Sequence, residues 1–160
     1  MSMRLGLAVA AVVALMDQLA KAWVVNFFAA HAVDDRFVAV APFLNLVLTM
    51  NRGMSFGLFN TGAAFNAAIF TVLAAIIVAG LLVWLARTEE ALLVVAIGLV
   101  IGGAIGNVAD RITRGAVVDF LDVHLGVWHW FSFNLADAAI SVGVALMVID
   151  GLRGRREARN

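Results

Sequence analysis

Two aspartates stand eighteen residues apart in otherwise apolar surroundings: Asp119 in Ala116-Val117-Val118-Asp119-Phe120, and Asp137 in Phe133-Asn134-Leu135-Ala136-Asp137-Ala138. If folding brings them together, their chemistry is well defined. Two carboxylates within about 3 Å of each other cannot both ionise, so they share one proton near neutral pH. The ionised partner can then take a proton from water while the protonated one polarises a carbonyl, which is peptide hydrolysis without a covalent intermediate. A continuous helix would hold the pair about 27 Å apart. Gly115, Gly126 and the strand-like runs between them allow the chain to double back instead. Taken singly, either acid also suits a helix cap or a surface charge, so the reading depends on their meeting.

Two further polar groups stand out. Asp17 and Lys21 lie four residues apart in an apolar run, on one helix face with the acid leading. That spacing suits an internal ion pair, with direct substrate contact as the sharper alternative. Gly102-Gly103-Ala104-Ile105-Gly106-Asn107-Val108-Ala109-Asp110-Arg111 closes another apolar run. Its Gly102 and Gly106 form a small-xxx-small face that admits a neighbouring helix. Asn107, Asp110 and Arg111 follow at i, i+3 and i+4, projecting from one side; the plainer reading is a polar helix end with two boundary charges.

Other hydrolytic schemes fit less well. There is no HExxH for zinc and no GxSxG elbow. Ser55, Ser132 and Ser141 have no evident histidine partner, and His31, His124 and His129 lack ligand spacing; Asp122 with His124 makes at most half a metal set. The absence of cysteine removes disulfides, thiolate zinc sites and a cysteine nucleophile. No metal and no organic cofactor is expected.

The elements that must position these groups are set by lipid. Of 160 residues 64% are hydrophobic and only 14% charged, with a formal net charge of +0. That composition excludes a soluble domain, a disordered chain and a basic nucleic-acid binder. Backbone polar groups in hydrocarbon must be satisfied internally, so spanning segments are helices of about 20 residues or barrel strands. No alternation marks a barrel. Four helical spans are expected at about 5–28, 63–85, 91–109 and 134–152, within a single domain of 1–160, with outer loops at about 29–62 and 110–133. A cleavable secretory signal is the rival reading of the first span, but Asp17 and Lys21 are out of place in one. Arg4, Arg87 and the tail Arg153, Arg155, Arg156 and Arg159 fall on one side, against Arg36, Arg52, Arg111 and Arg114 on the other. This bias favours cytoplasmic termini. The outer loops are rich in β-formers at 37–40, 44–50, 117–123 and 127–133, which predicts short strands at the outer surface. Trp128 and Trp130 suit an interfacial aromatic belt.

Five blocks in order carry a resemblance over nearly the whole chain. They are Asp17-Gln18-Leu19-Ala20-Lys21, Asn51-Arg52-Gly53-Met54-Ser55-Phe56-Gly57, the run 102–111, Gly115-Ala116-Val117-Val118-Asp119-Phe120, and Phe133-Asn134-Leu135-Ala136-Asp137-Ala138-Ala139-Ile140. Together they resemble the lipoprotein signal peptidases (signal peptidase II), bacterial inner-membrane aspartyl proteases. The resemblance implies a mainly α fold, a four-transmembrane-helix integral membrane protein with a small periplasmic β-cradle. It implies cleavage of signal peptides just before a diacylglyceryl-modified cysteine of the substrate, with Asp119 and Asp137 as the catalytic pair. Residues matching Asn51, Gly53, Asn107, Arg111 and Asn134 are implied to surround substrate and dyad, with Asp17 and Lys21 in support. Diacylated prolipoproteins and membrane lipids are the implied partners, no nucleic acid is expected, and a monomer is expected. Globomycin is the family's known inhibitor. The family commonly has Ser after the second acid where this chain has Ala138, so a hydroxyl near the dyad is missing. A small proton-coupled transporter subunit is the competing function, since intramembrane acids also relay protons. A transporter would distribute its acids through the membrane depth, whereas Asp110, Asp119 and Asp137 are expected at one surface. An assembly subunit held by its glycine faces is the other competitor, and it would tolerate Asp119→Asn.

Overall fold

The computed structural model describes residues 2–31, 37–53 and 63–157, with the side chains of 63–66 and 154–157 excepted. Arg36, the Met54–Gly57 part of the second block and Arg159 lie outside the described residues. In chain order the elements are α1 (Ser2–Ala30), β1 (Phe37–Ala41), β2 (Leu44–Asn51), α2 (Ala63–Leu85), α3 (Ala91–Arg114), β3 (Val117–Leu125), β4 (Trp128–His129) and α4 (Leu135–Glu157). All four helices contain stretches long and apolar enough to cross a bilayer. The fold is therefore mainly helical, with one small antiparallel sheet.

α3 is the axis, packing against each of the other helices. Its inner half is wholly apolar: Leu93, Val94, Ile97 and Ile101 cluster with Ala10 of α1 and Leu85 of α2. Lipid tails offer no hydrophobic drive for helix association, so close backbone approach has to supply the contact. Gly102 provides it, since a Cβ there would lie 2.6 Å from the Ala10 carbonyl oxygen and 2.7 Å from Val13 Cβ. α2 and α4 are little buried, and Val72 and Ile76 of α2 turn outward at 59% and 64% exposure. In water those side chains would be a liability; in hydrocarbon they are solvated.

The sheet runs β1-β2-β3-β4, each pair antiparallel. Thr49 lies opposite Asp119 and Asn51 opposite Val117, past an irregularity between Leu46 and Thr49. The sheet is tied to the helices where Val24 and Phe28 of α1 meet Phe120. α3 continues to Arg114, beyond the expected end of its span. It stops at Gly115, whose left-handed φ of 71° lets its N–H cap the Arg111 carbonyl at 3.1 Å. The 127–133 run is not a full strand. After the left-handed turn at Gly126 (φ 60°), Trp128 and His129 pair with β3, the Trp130 N–H reaches the Val123 carbonyl at 2.8 Å, and Phe133 rejoins through a bridge to Leu121. Val127 and Phe131 between them are 98% and 83% exposed. Strand propensity reflects a fit to a half-buried surface, and these side chains find an exposed one.

Candidate active site

Asp137 owes its place to helix capping. Asn134 is the N-cap of α4: its Oδ1 accepts the Asp137 N–H at 2.9 Å, while Asp137 Oδ2 accepts the Asn134 N–H at 3.3 Å. This reciprocal pair is a capping box with Asn and Asp in the two roles. Two further N–H groups of the first turn also have partners. Ala136 N–H reaches Asp17 Oδ1 at 3.0 Å, and Ala138 N–H reaches the Asn134 carbonyl at 3.2 Å. Asp17 thus supplies a carboxylate to the positive end of α4 from a different helix.

Asp119 is held from the sheet side. Asn51 Nδ2 donates to its Oδ2 at 2.9 Å, and Asn134 Nδ2 donates to its Oδ1 at 2.7 Å. Asn51 is oriented in turn by Gly53, whose N–H donates to Asn51 Oδ1 at 2.8 Å. Gly53 needs to be glycine because its φ is 76° and a Cβ would strike the Phe70 ring. Burial first, and the nearby Asp137 charge with it, raise the Asp119 carboxyl to about 6 against the donations of Asn51 and Asn134.

Asn107 joins the two acids. Its Nδ2 donates to Asp137 Oδ1 at 2.8 Å, and its Oδ1 accepts from Asn134 Nδ2 at 3.3 Å and Lys21 Nζ at 3.1 Å. Asp119 and Asp137 therefore sit at the two ends of an Asn134–Asn107 amide bridge. Each acid opens to its own hollow: Asp119 to one of about 580 Å³ with Asn51 and Thr49, Asp137 to one of about 460 Å³ with Ala138 and Ser141. Phe131 and Ser132 line both, so the hollows are two sides of one segment.

Beneath the bridge lies a buried ionic cluster. Lys21 Nζ is 2.7 Å from Asp17 Oδ2 and 2.9 Å from Asp110 Oδ2, and all three side chains have zero exposure. Arg114 pairs with the other Asp110 oxygen. Two cations thus offset two anions, which is what burial of charge demands. Gln18 Nε2 reaches Asp110 Oδ1 at 3.2 Å and the Gly106 carbonyl at 3.0 Å.

The structure gathers Asp119, Asp137, Asn51, Gly53, Asn107, Asn134, Asp17 and Lys21 into one connected network. Arg111 stands beside it: its guanidinium lies 5.4 Å from the Phe70 ring centroid and donates to the Asn107 carbonyl at 3.3 Å. Two participants were read only in part from the sequence. Asp110 looked like a boundary charge and is a fully buried hub, and Gln18 carried no signal beyond its place in the first block. A second acidic position, Asp122, pairs with His129 Nδ1 at 2.8 Å and Asn45 Nδ2 at 2.9 Å, leaving His124 stacked on the His129 ring. Burial would raise the Asp122 carboxyl, but those partners outweigh it and hold it below its ordinary value.

Residues 9–153 match the family model described as Signal peptidase (SPase) II. A lipoprotein signal peptidase of Paraburkholderia phymatum is 44% identical over 155 residues, covering 96% of this chain and 90% of that protein. Another, from Methylorubrum extorquens, is 41% identical over 138 residues, covering 86% and 80%. A solved structure, described as a bacterial membrane enzyme determined in meso at 1.9 Å, superposes with a TM-score of 0.76 at 29% identity over 92% of each chain. The chain thus belongs to the signal peptidase II family, the lipoprotein signal peptidases, and is a multi-pass membrane protease.

Proposed function

We propose that this chain is an aspartic endopeptidase of the bacterial inner membrane that cleaves prolipoproteins just before their diacylglyceryl-modified cysteine, with Asp119 and Asp137 as its catalytic pair. The observation that carries the reading is the Asn134–Asn107 bridge, which ties two acids eighteen residues apart to one wet end of the helix bundle. Asp119, raised to about 6, is the proton holder. Asp137 takes a proton from a water as the water oxygen adds to the scissile carbonyl carbon, and Asp119 gives its proton to the carbonyl oxygen. The resulting gem-diol collapses as Asp119 recovers that proton. Asp137 passes its own to the leaving nitrogen, which becomes the amino terminus of the modified cysteine. Both carboxyl groups end in their starting states.

The substrate's apolar helix and acyl chains enter sideways from the bilayer, and its cleavage-site backbone extends along the sheet by strand addition. Asn51 and Arg111, at the mouth, orient the scissile peptide over the acids. The Arg bias noted above supports cytoplasmic termini, and with them a periplasmic sheet and active site. The transporter alternative is less well supported, because Asp110, Asp119 and Asp137 gather at one end of the helices and the described part of α2 contributes no acid.

The test is turnover by purified protein of a diacylglyceryl-modified prolipoprotein peptide. Wild type is expected to cut before the modified cysteine and to be blocked by globomycin. Asp119→Asn and Asp137→Asn are expected to insert and fold normally yet lose about 10³-fold or more in kcat. Normal turnover by both variants ends the proposal.

A further inference from the structure

We propose that Asp17, Lys21 and Asp110 form a charged clamp that fixes the separation of the two catalytic acids, making all three positioning residues; the inference rests on the dyad reading above. The Lys21 ammonium has three protons and three acceptors: Asp17 Oδ2, Asp110 Oδ2 and Asn107 Oδ1, at 2.7, 2.9 and 3.1 Å. It is therefore saturated.

What each acceptor does next is the core of the inference. Asp17 takes the N–H of Ala136 at 3.0 Å, and Asp110 takes the N–H of Val118 at 3.1 Å. Ala136 immediately precedes Asp137, and Val118 immediately precedes Asp119. One ammonium is thus linked through one carboxylate to the N–H of the residue just before each catalytic acid, although those residues belong to a helix and a strand. The third arm works on a side chain. An ammonium can only donate, so it holds the Asn107 oxygen toward itself and turns the amide nitrogen toward Asp137.

Neutralisation alone does not account for this arrangement. Buried ion clusters contribute weakly to stability, and apolar replacements of similar volume are often neutral or better. What an apolar core cannot supply is fixed, directional acceptors for two particular N–H groups. Shifts of about 1 Å at reacting groups cost on the order of 100-fold in rate, so a clamp that sets this spacing acts on kcat.

The experiment compares Asp17→Asn, Asp110→Asn, their double variant and Lys21→Arg with wild type in lipid vesicles. It measures kcat and KM on the diacylglyceryl-modified peptide and checks folding by circular dichroism. Each Asn variant keeps an oxygen but too few acceptor sites for all its donors. The expected result is a kcat loss of about 30- to 100-fold in each single Asn variant, with KM within about threefold of wild type. The double variant should fall little further than the worse single, because residues acting as one unit are not additive. Lys21→Arg keeps both carboxylates paired, and its broader, planar head should lower kcat without moving KM; it decides the matter if the Asn variants do not fold. Wild-type kcat in the folded variants, losses that simply multiply in the double, or a raised KM with kcat kept would each overturn the clamp. Asp119→Asn runs alongside: full activity there would sink the dyad reading itself, whereas an inactive Asp119→Asn beside active clamp variants would sink only the clamp.

Discussion

Asn134 does two jobs that substitution can separate. It is fully buried; its Oδ1 caps α4 through the Asp137 N–H, and its Nδ2 donates to Asp119 Oδ1 at 2.7 Å and Asn107 Oδ1 at 3.3 Å. Asn134→Ala removes both functions. Loss of an N-cap costs about 1 kcal/mol, and loss of a hydrogen bond to a buried charged group about 1.5–3 kcal/mol. Asn134→Ser keeps a capping oxygen but has neither the reach nor the second group to bridge to Asp119. The two variants should therefore differ by about 1 kcal/mol in stability and be alike in rate. If the bond to Asp119 is fully expressed in the transition state, its loss lowers kcat by about 10- to 150-fold in both. Denaturation in detergent gives the first quantity, and initial rates on the diacylglyceryl-modified peptide give the second. Wild-type kcat in Asn134→Ser would refute the bridge as a catalytic device. A kcat ordered like stability, with Ala far worse than Ser, would reduce Asn134 to a cap.

Two other predictions follow from single contacts. Asp119 is raised from 3.8 to about 6 by burial first and by the Asp137 charge as well, so its protonation favours the folded state. That stabilisation is fully present below about 4 and is lost as pH rises through about 6. A melting series on wild type should show this decline while Asp119→Asn lacks it, and parallel curves would contradict the assignment. The glycines give a contrast in packing: Gly102→Ala forces α1 from α3 and should cost about 1–3 kcal/mol. Gly80→Ala, with nothing within 4 Å of its Cβ, should be neutral or stabilising by up to about 1 kcal/mol in a melting assay; equal losses at both positions would count against the α1–α3 contact.

Local signals in the sequence were readable, and the long-range pairings were not. Asp17 and Lys21 announce their pairing by helical spacing, and Asp119 and Asp137 announce themselves as acids in apolar runs. Asn134-Leu135-Ala136-Asp137 also has the spacing of a capping box, a local signal that weighing Asp137 as a single acid passed over. Asp110 has helical i, i+4 spacing to Arg114, but not to the partners that bury it. Lys21 and Gln18 are about ninety positions away, and only the close approach of α1 to α3 brings them together. The 127–133 run misled for a related reason: Val127, Trp128, Trp130 and Phe131 have the composition of a strand, yet exposed apolar side chains beside a membrane have another place to go.

The same physics places the proposed dyad at one end of α3. Along its inner half α3 buries Val94, Ile97 and Ile101 against apolar neighbours, where an unpaired charge would be costly. Around Gly106–Arg114 the helix meets the sheet and the N-terminus of α4, two sources of unsatisfied N–H groups that hydrocarbon cannot solvate. Asp17 and Asp110 satisfy those donors, Lys21 offsets their charge, and Asn107 completes the ammonium's coordination. Once that network exists, Asn107 presents an oriented amide to Asp137 with no further ordering required. Asn51, hung from β2 and oriented by the Gly53 N–H, is the contrasting case. It joins the network at its edge, through Asp119, and not through the buried ionic cluster, so changes at Asn51 should move rate and pH response with little effect on stability, whereas changes at Lys21 should move both.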